Sequence, residues 1–192
     1  MIYDFIFGML KPFVKLFSKI HMPFSRKKVD GKDYYRVRNF IQPGTVLLTT
    51  VKGEFSNLYN PEKIKHGAIY LGRILGDEVC YVLESTRKGT ILTDLVTFML
   101  RKDFVIGYSP KFEIDIARLQ HIAKQIIGTK YDYFFKGNNN KLYCFESVAI
   151  LLEYASEEKI TLKKTLFGKM IYSCRSYTED NRFEKIFDSE DM

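Results

Sequence analysis

LYCFESVAILLEYA, residues 142–155, decides how this chain is read. A loop-like stretch, TKYDYFFKGNNNKLY (129–143), precedes it, and an apolar pattern of helical period begins at Cys144. A cysteine there has its sulfur near a helix N-terminus, where the macrodipole and unpaired N–H groups favour a thiolate. The plainer alternative is a core cysteine, because free cysteine is among the most buried residue types. The polar loop ahead of Cys144 argues instead for partial exposure. Cys80, within a strand pattern, and Cys174 read as core.

A thiolate needs a base, and two upstream segments offer partners. His66 opens the apolar strand KHGAIYLG (65–72), followed by the small residues Gly67 and Ala68, which leave room for a substrate or a helix. An imidazole near neutral pKa takes the thiol proton and later returns it to a leaving group. The competing reading is a strand-end histidine satisfied by backbone. Glu84 closes the next apolar run, EVCYVLES (78–85). It either accepts the second histidine N–H, fixing the tautomer, or emerges into solvent and pairs with Arg87 or Lys88. Glu146, two residues past the cysteine, is a rival third member or a first-turn carboxylate of its own helix. His21 and His121 lack a comparable setting.

Outward from these motifs the pattern is strand-rich. TVLLTT (45–50), GTILT (89–93) and DFVIGYS (103–109) read as strands, and 66–72 with 78–85 as a hairpin. DLVTFMLRK (94–102) reads as a short helix, 114–127 as a longer one ending at Gly128, and 160–176 as a helical closure of the core. The fold class is α+β, an antiparallel sheet with helices packed against it. Three divisions follow: 1–30, an amphipathic helix and basic linker; 31–178, the main domain; and 179–192, an acidic tail expected to fray.

The net charge of +7 invites nucleic acid as a partner, but the basic residues are spread out and no nucleic-acid-binding motif accompanies them. Three cysteines without a CxxC argue against a disulfide framework or zinc site and for a reducing compartment, with the cytoplasm as default. Residues 2–20 read as an amphipathic helix, with Asp4, Gly8, Lys11, Lys15 and Lys19 on one stripe and a kink at Pro12. Those lysines disfavour a transmembrane span or a signal peptide. The helix either docks on its own domain, mediates oligomerisation or makes peripheral membrane contact, the last aided by Arg26, Lys27 and Lys28. The oligomeric state stays open.

PGTVLLTT (43–50), KHGAIYLG, VLESTRKGT (82–90) and GTKYDYFFKGNNNKLYCFES (128–147) together resemble the permuted papain-like amidases of the YiiX and YaeF type, relatives of NlpC-like peptidases and lecithin:retinol acyltransferase-like enzymes. The resemblance covers 41–175. It implies a circularly permuted papain-like fold, in which the histidine strand precedes the cysteine helix. It also implies catalytic roles for Cys144 as nucleophile, His66 as base, Glu84 as third member and Tyr131 as an oxyanion-site tyrosine, with the Cys144 backbone N–H as second donor. Tyr131 read on its own is equally a loop aromatic packed on the sheet. The family commonly reads YCSE where this chain reads Tyr143-Cys144-Phe145-Glu146, and Phe145 is expected to narrow the pocket. Phe55, Tyr59 and the cluster from Tyr131 to Phe135 suggest an aromatic-lined cleft.

The implied activity is that of a cysteine hydrolase or acyltransferase acting on an amide or a lipid ester through a thioester, with no metal or organic cofactor. The substrate is accordingly a peptide or a lipid. The alternative is a catalytically silent member of the same fold that binds peptide or lipid.

Overall fold

The computed structural model describes residues 29–50, 63–74, 76, 78–137, 140–164 and 168–191. The interfacial reading of residues 2–20, the cluster Arg26–Lys28, and Phe55 and Tyr59 lie outside the described residues.

Six strands form one antiparallel sheet: β1 (Val46–Thr50), β2 (His66–Gly72), β3 (Tyr81–Thr86), β4 (Gly89–Asp94), β5 (Phe104–Pro110) and β10 (Phe183–Asp188), ordered β10-β5-β1-β2-β3-β4. Alternation along the strands sorts side chains onto two faces. Val46, Leu48, Ile69, Leu71, Leu83 and Ile106 face one core, completed by helices α3 (Ile116–Ile126) and α4 (Cys144–Ser156). Leu47, Ala68, Tyr70, Val82 and Val105 face the other, covered by α1 (Gly31–Val37) and α2 (Leu95–Leu100). The sheet thus has helices on both faces, as its apolar character on both sides requires. Two short pairs flank it: β6 (Lys130–Tyr131) runs parallel to β7 (Lys141–Leu142), and β8 (Lys163–Lys164) antiparallel to β9 (Met170–Ile171). A four-residue helix, α5 (Arg175–Thr178), precedes β10.

Two sequence expectations are corrected here. Residues 160–176 do not form a helix: they carry β8 and β9, and Gly168 adopts a φ of 81°, which a helix does not accommodate. The acidic segment 179–192 is no frayed tail, since β10 pairs with β5 and buries Phe183 and Phe187 while Glu184 and Lys185 stay exposed. A register shift between Lys185 and Phe187 sends the two phenylalanines to opposite faces, Phe183 into the core under α4 and Phe187 into the core under α1 and α2. The main domain, which starts at residue 31, opens directly on α1. The Asp30 carboxylate accepts from the Lys32 and Asp33 N–H groups, and Asp33 reciprocates by accepting from the Asp30 N–H.

Candidate active site

Cys144 is the first residue of α4, and Tyr143 at the N-cap supplies no side-chain hydrogen bond to the helix. The first N–H groups of α4 therefore have no side-chain cap at that position. Sγ of Cys144 interacts with the backbone N–H groups of Phe145, from its own first turn, and of Gly67, from β2. The approach of α4 to β2 depends on Gly67 lacking a side chain. A Cβ there would lie 2.6 Å from Cδ1 of Phe145. The room left by the small residues after His66 is filled by the helix, through the Phe145 ring.

His66 begins β2 on the α2 side of the sheet. Its Nε2 lies 2.9 Å from Glu84 Oε2, and its ring centroid 6.5 Å from that of Phe98. Cys144 lies within hydrogen-bond reach of the same imidazole. The imidazole thus has both the carboxylate and the thiol as partners. Glu84 accepts from Thr93 Oγ1 at 2.8 Å through Oε1 and from Lys102 Nζ at 3.4 Å through Oε2. Arg87 and Lys88, the alternative partners in the sequence, are exposed at the β3–β4 turn.

The electrostatics follow from these contacts. Burial pushes the Cys144 thiol up, but the His66 hydrogen bond and charge and the two backbone N–H groups overcome it and hold its pKa below the usual 9.0. Burial and the Lys102 charge pull His66 down, whereas Cys144 and Glu84 pull it up, and its pKa lies above the usual 6.5. Burial raises Glu84, yet hydrogen bonding and charge from His66, then Lys102 and Thr93, hold it well below the ordinary carboxylate range. The arrangement favours a thiolate facing an imidazolium backed by a carboxylate.

Cys144 is 4% exposed, a correction to the partial exposure expected for it. The contact of α4 with β2 closes over the sulfur, and the His66 side chain, 19% exposed, is the open member. Phe145 does not narrow an open cleft: it is buried over Gly67, and its carbonyl accepts from the Tyr177 hydroxyl at 2.8 Å. Glu146 turns away from His66. Its Oε2 accepts from the Tyr143 N–H at 3.4 Å, and burial, reinforced by Asp132, pushes its pKa up to about 7. Tyr131 sits on β6 in register with Leu142, two residues before Cys144, and packs edge-on against Tyr133 at 5.0 Å between centroids. The loop between β6 and β7 is tied by the buried Asp132, whose carboxylate accepts from the N–H groups of Phe134, Lys136 and Gly137.

Sequence reasoning missed Thr93 and Lys102. Thr93 was within reach, since it opposes Val82 and so lies diagonal to Glu84 on the same face. Lys102, between α2 and β5, carried no such signal. Among the described residues, no group of three or more His, Cys, Asp or Glu side chains is arranged to hold a metal ion, and no helix is long and apolar enough to cross a membrane.

A cysteine at a helix start, paired with a histidine and a carboxylate from an antiparallel sheet, defines the papain-like class, here with the histidine strand ahead of the cysteine helix. The chain belongs to the permuted papain-like amidases, the YaeF/YiiX, C92 family, whose profile matches residues 40–186. Among curated proteins it is similar to Protein OPG091 of vaccinia virus (strain Copenhagen), 28% identical over 163 residues, covering 81% of this chain and 90% of that protein. Protein OPG091 of variola virus (isolate Human/India/Ind3/1967) is 27% identical with the same coverage. Among solved structures, the fold matches the metalloprotein yiiX from Escherichia coli O157:H7 with a TM-score of 0.64 at 13% identity, over 77% of this chain and 97% of that one.

Proposed function

We propose that this chain is a cysteine hydrolase or acyltransferase that works through a thioester. The observation carrying the proposal is that one imidazole, His66, joins Cys144 on one side and Glu84 on the other. In this mechanism the Cys144 proton passes to His66, and the thiolate attacks an amide or ester carbonyl carbon. The tetrahedral oxyanion is met by the Cys144 backbone N–H and by the Tyr131 hydroxyl. Loss of one such donor typically costs about 10²–10³ in rate. As the carbon–nitrogen or carbon–oxygen bond breaks, His66 gives its proton to the departing amine or alcohol. Water or another acceptor then attacks the thioester, with His66 as base, and the thiol is regenerated. Glu84 acts through His66, holding the tautomer and stabilising the imidazolium.

The half-buried aromatics Tyr131, Tyr133, Phe134 and Phe135, in the segment that leads into the Cys144 helix, suit an acyl chain or a peptide flank. Residues 2–20 supply the peripheral membrane contact in this reading, which suits a lipid ester. Flotation with anionic liposomes is expected to carry the full chain and to lose a 1–30 deletion, and equal flotation would remove that element.

The test of the reaction is acyl trapping. The full chain incubated with an activated acyl ester near neutral pH is expected to gain one acyl group on Cys144, read by intact mass and peptide mapping, and His66→Ala is expected to gain none. Acylation of Cys80 or Cys174 first, or a His66→Ala protein acylated like wild type, would favour the silent binding reading, to which the burial of Cys144 otherwise lends weight.

A further inference from the structure

Lys102 is a lysine in an unusual place. It is 8% exposed, although lysine is almost never fully buried unless paired. Its Nζ lies 4.6 Å above the Phe98 ring and 3.4 Å from Glu84 Oε2, the same oxygen that meets His66 Nε2 at 2.9 Å. Its backbone is pinned on both sides. The Lys102 N–H donates to the Met99 carbonyl at 2.9 Å, and the Asp103 N–H to the Thr50 carbonyl at 3.1 Å. The ammonium is therefore delivered to Glu84 by a fixed stretch of chain between α2 and β5.

We propose that Lys102 is a positioning residue of the thiol site: sharing one oxygen of Glu84 with His66, its buried ammonium holds the carboxylate and divides its negative charge between imidazole and lysine. The proposal rests on the hydrolase reading of Cys144 and His66. Among the described residues, the contacts that meet at the pair are these. His66 from β2 and Lys102 from the α2–β5 connection face Glu84, Thr93 from β4 adds a neutral donor, and Cys144 from α4 faces His66. Each has a separate effect. Glu84 alone would tighten the imidazolium and make it a reluctant acid toward the leaving group. A second cation on the same oxygen weakens that hold while keeping the carboxylate ionised and oriented. Lys102 also opposes a positive charge on the ring directly, in line with its downward pull on His66.

The experiment is an NMR titration of the imidazoles in the full chain with ¹³C-labelled histidine, the three histidines being sorted by His66→Ala. Lys102→Met is expected to raise the His66 midpoint by about one pH unit, the order expected for losing a nearby charge at an effective dielectric constant of about 20. Lys102→Arg, which keeps the charge, is expected to stay within about 0.3 unit of wild type. Should the methionine variant fail to fold, Lys102→Gln takes its place, keeping a donor to Glu84 without the charge, and the same upward shift is required of it. A midpoint unmoved by loss of the charge, or moved equally by Arg and Met, overturns the proposal. The two readings fail separately. A Cys144 that resists acylation ends the hydrolase reading while the titration still reports on Lys102, and an unmoved titration beside a reactive Cys144 removes Lys102 alone.

Discussion

The ring of Phe145 occupies the space that a side chain on Gly67 would need: a Cβ there would meet Cδ1 at 2.6 Å and Cε1 at 2.8 Å. This contact sets how closely the cysteine helix approaches the histidine strand. Gly67→Ala is expected to cost about 1–3 kcal/mol of stability, as other overpacked cores do, and to slow acylation of Cys144 by separating it from His66. Phe145→Ala in the Gly67→Ala background is expected to recover part of the approach, read as a coupling in a double-mutant cycle of thermal melts. Strict additivity of the two changes would show that the contact does not govern the approach.

The thiol of Cys144 is held below its usual pKa against the effect of burial, chiefly by His66. Iodoacetamide at pH 6 is expected to label Cys144 ahead of Cys80 and Cys174, despite the greater exposure of Cys80. His66→Ala is expected to slow that labelling at least about tenfold, since each unit of thiol pKa is worth about 1.4 kcal/mol. Peptide-level mass spectrometry reads the order. Labelling of Cys80 first at this pH contradicts the pairing.

Glu84 is 3% exposed and held well below the ordinary carboxylate range, so folding favours its ionised form. The stability this contributes is complete above the usual value of 4.5 and is lost as acid protonates the folded carboxylate. Glu84→Gln leaves Lys102 and His66 without their shared anion and is expected to cost about 3 kcal/mol at pH 7. The gap from wild type should narrow as pH falls below about 4, where the wild-type contribution itself declines. Denaturant titrations at pH 7 and pH 3.5 check this, and a gap that widens in acid would contradict it.

Glu146 behaves in the opposite sense, because burial, with Asp132 nearby, pushes its pKa up to about 7. An acid whose folded pKa exceeds its unfolded one stabilises fully below the unfolded value, and that contribution is lost as pH rises through the folded value. Glu146→Gln stays neutral and is expected to gain on wild type between pH 5 and 8 by about 1–3 kcal/mol. Melting curves across that range check it. A difference that does not change with pH would show that the carboxyl titrates no differently in the folded chain.

The parts of the fold legible in sequence were those with local causes. The strand over 66–72 and the helix from Cys144 announced themselves by period and by the polar loop between β6 and β7, and the short helix after Asp94 by its position between two strands. The segments that misled were those where local chemistry and packing disagree. Residues 179–192 look acidic and unattached until Phe183 and Phe187 find the edge of β5. The 160–176 stretch has helix-compatible composition but is held as a short strand pair, and α1 hid inside a basic, polar run although its Asp30–Asp33 capping box was readable.

The candidate site divides the same way. Residue type and spacing along the chain nominated Cys144, His66 and Glu84, because a thiol at a helix start, an imidazole opening a strand and a carboxylate within an apolar strand run are properties of short segments. What Glu84 does there was decided only by tertiary structure. The choice of Glu84 over Glu146 beside the imidazole, the arrival of Lys102 and Thr93 on its two oxygens, and the burial of the sulfur under α4 depend on strand register and on the distance between a helix and a sheet. Those are set by packing across many residues. No short stretch of sequence contains them.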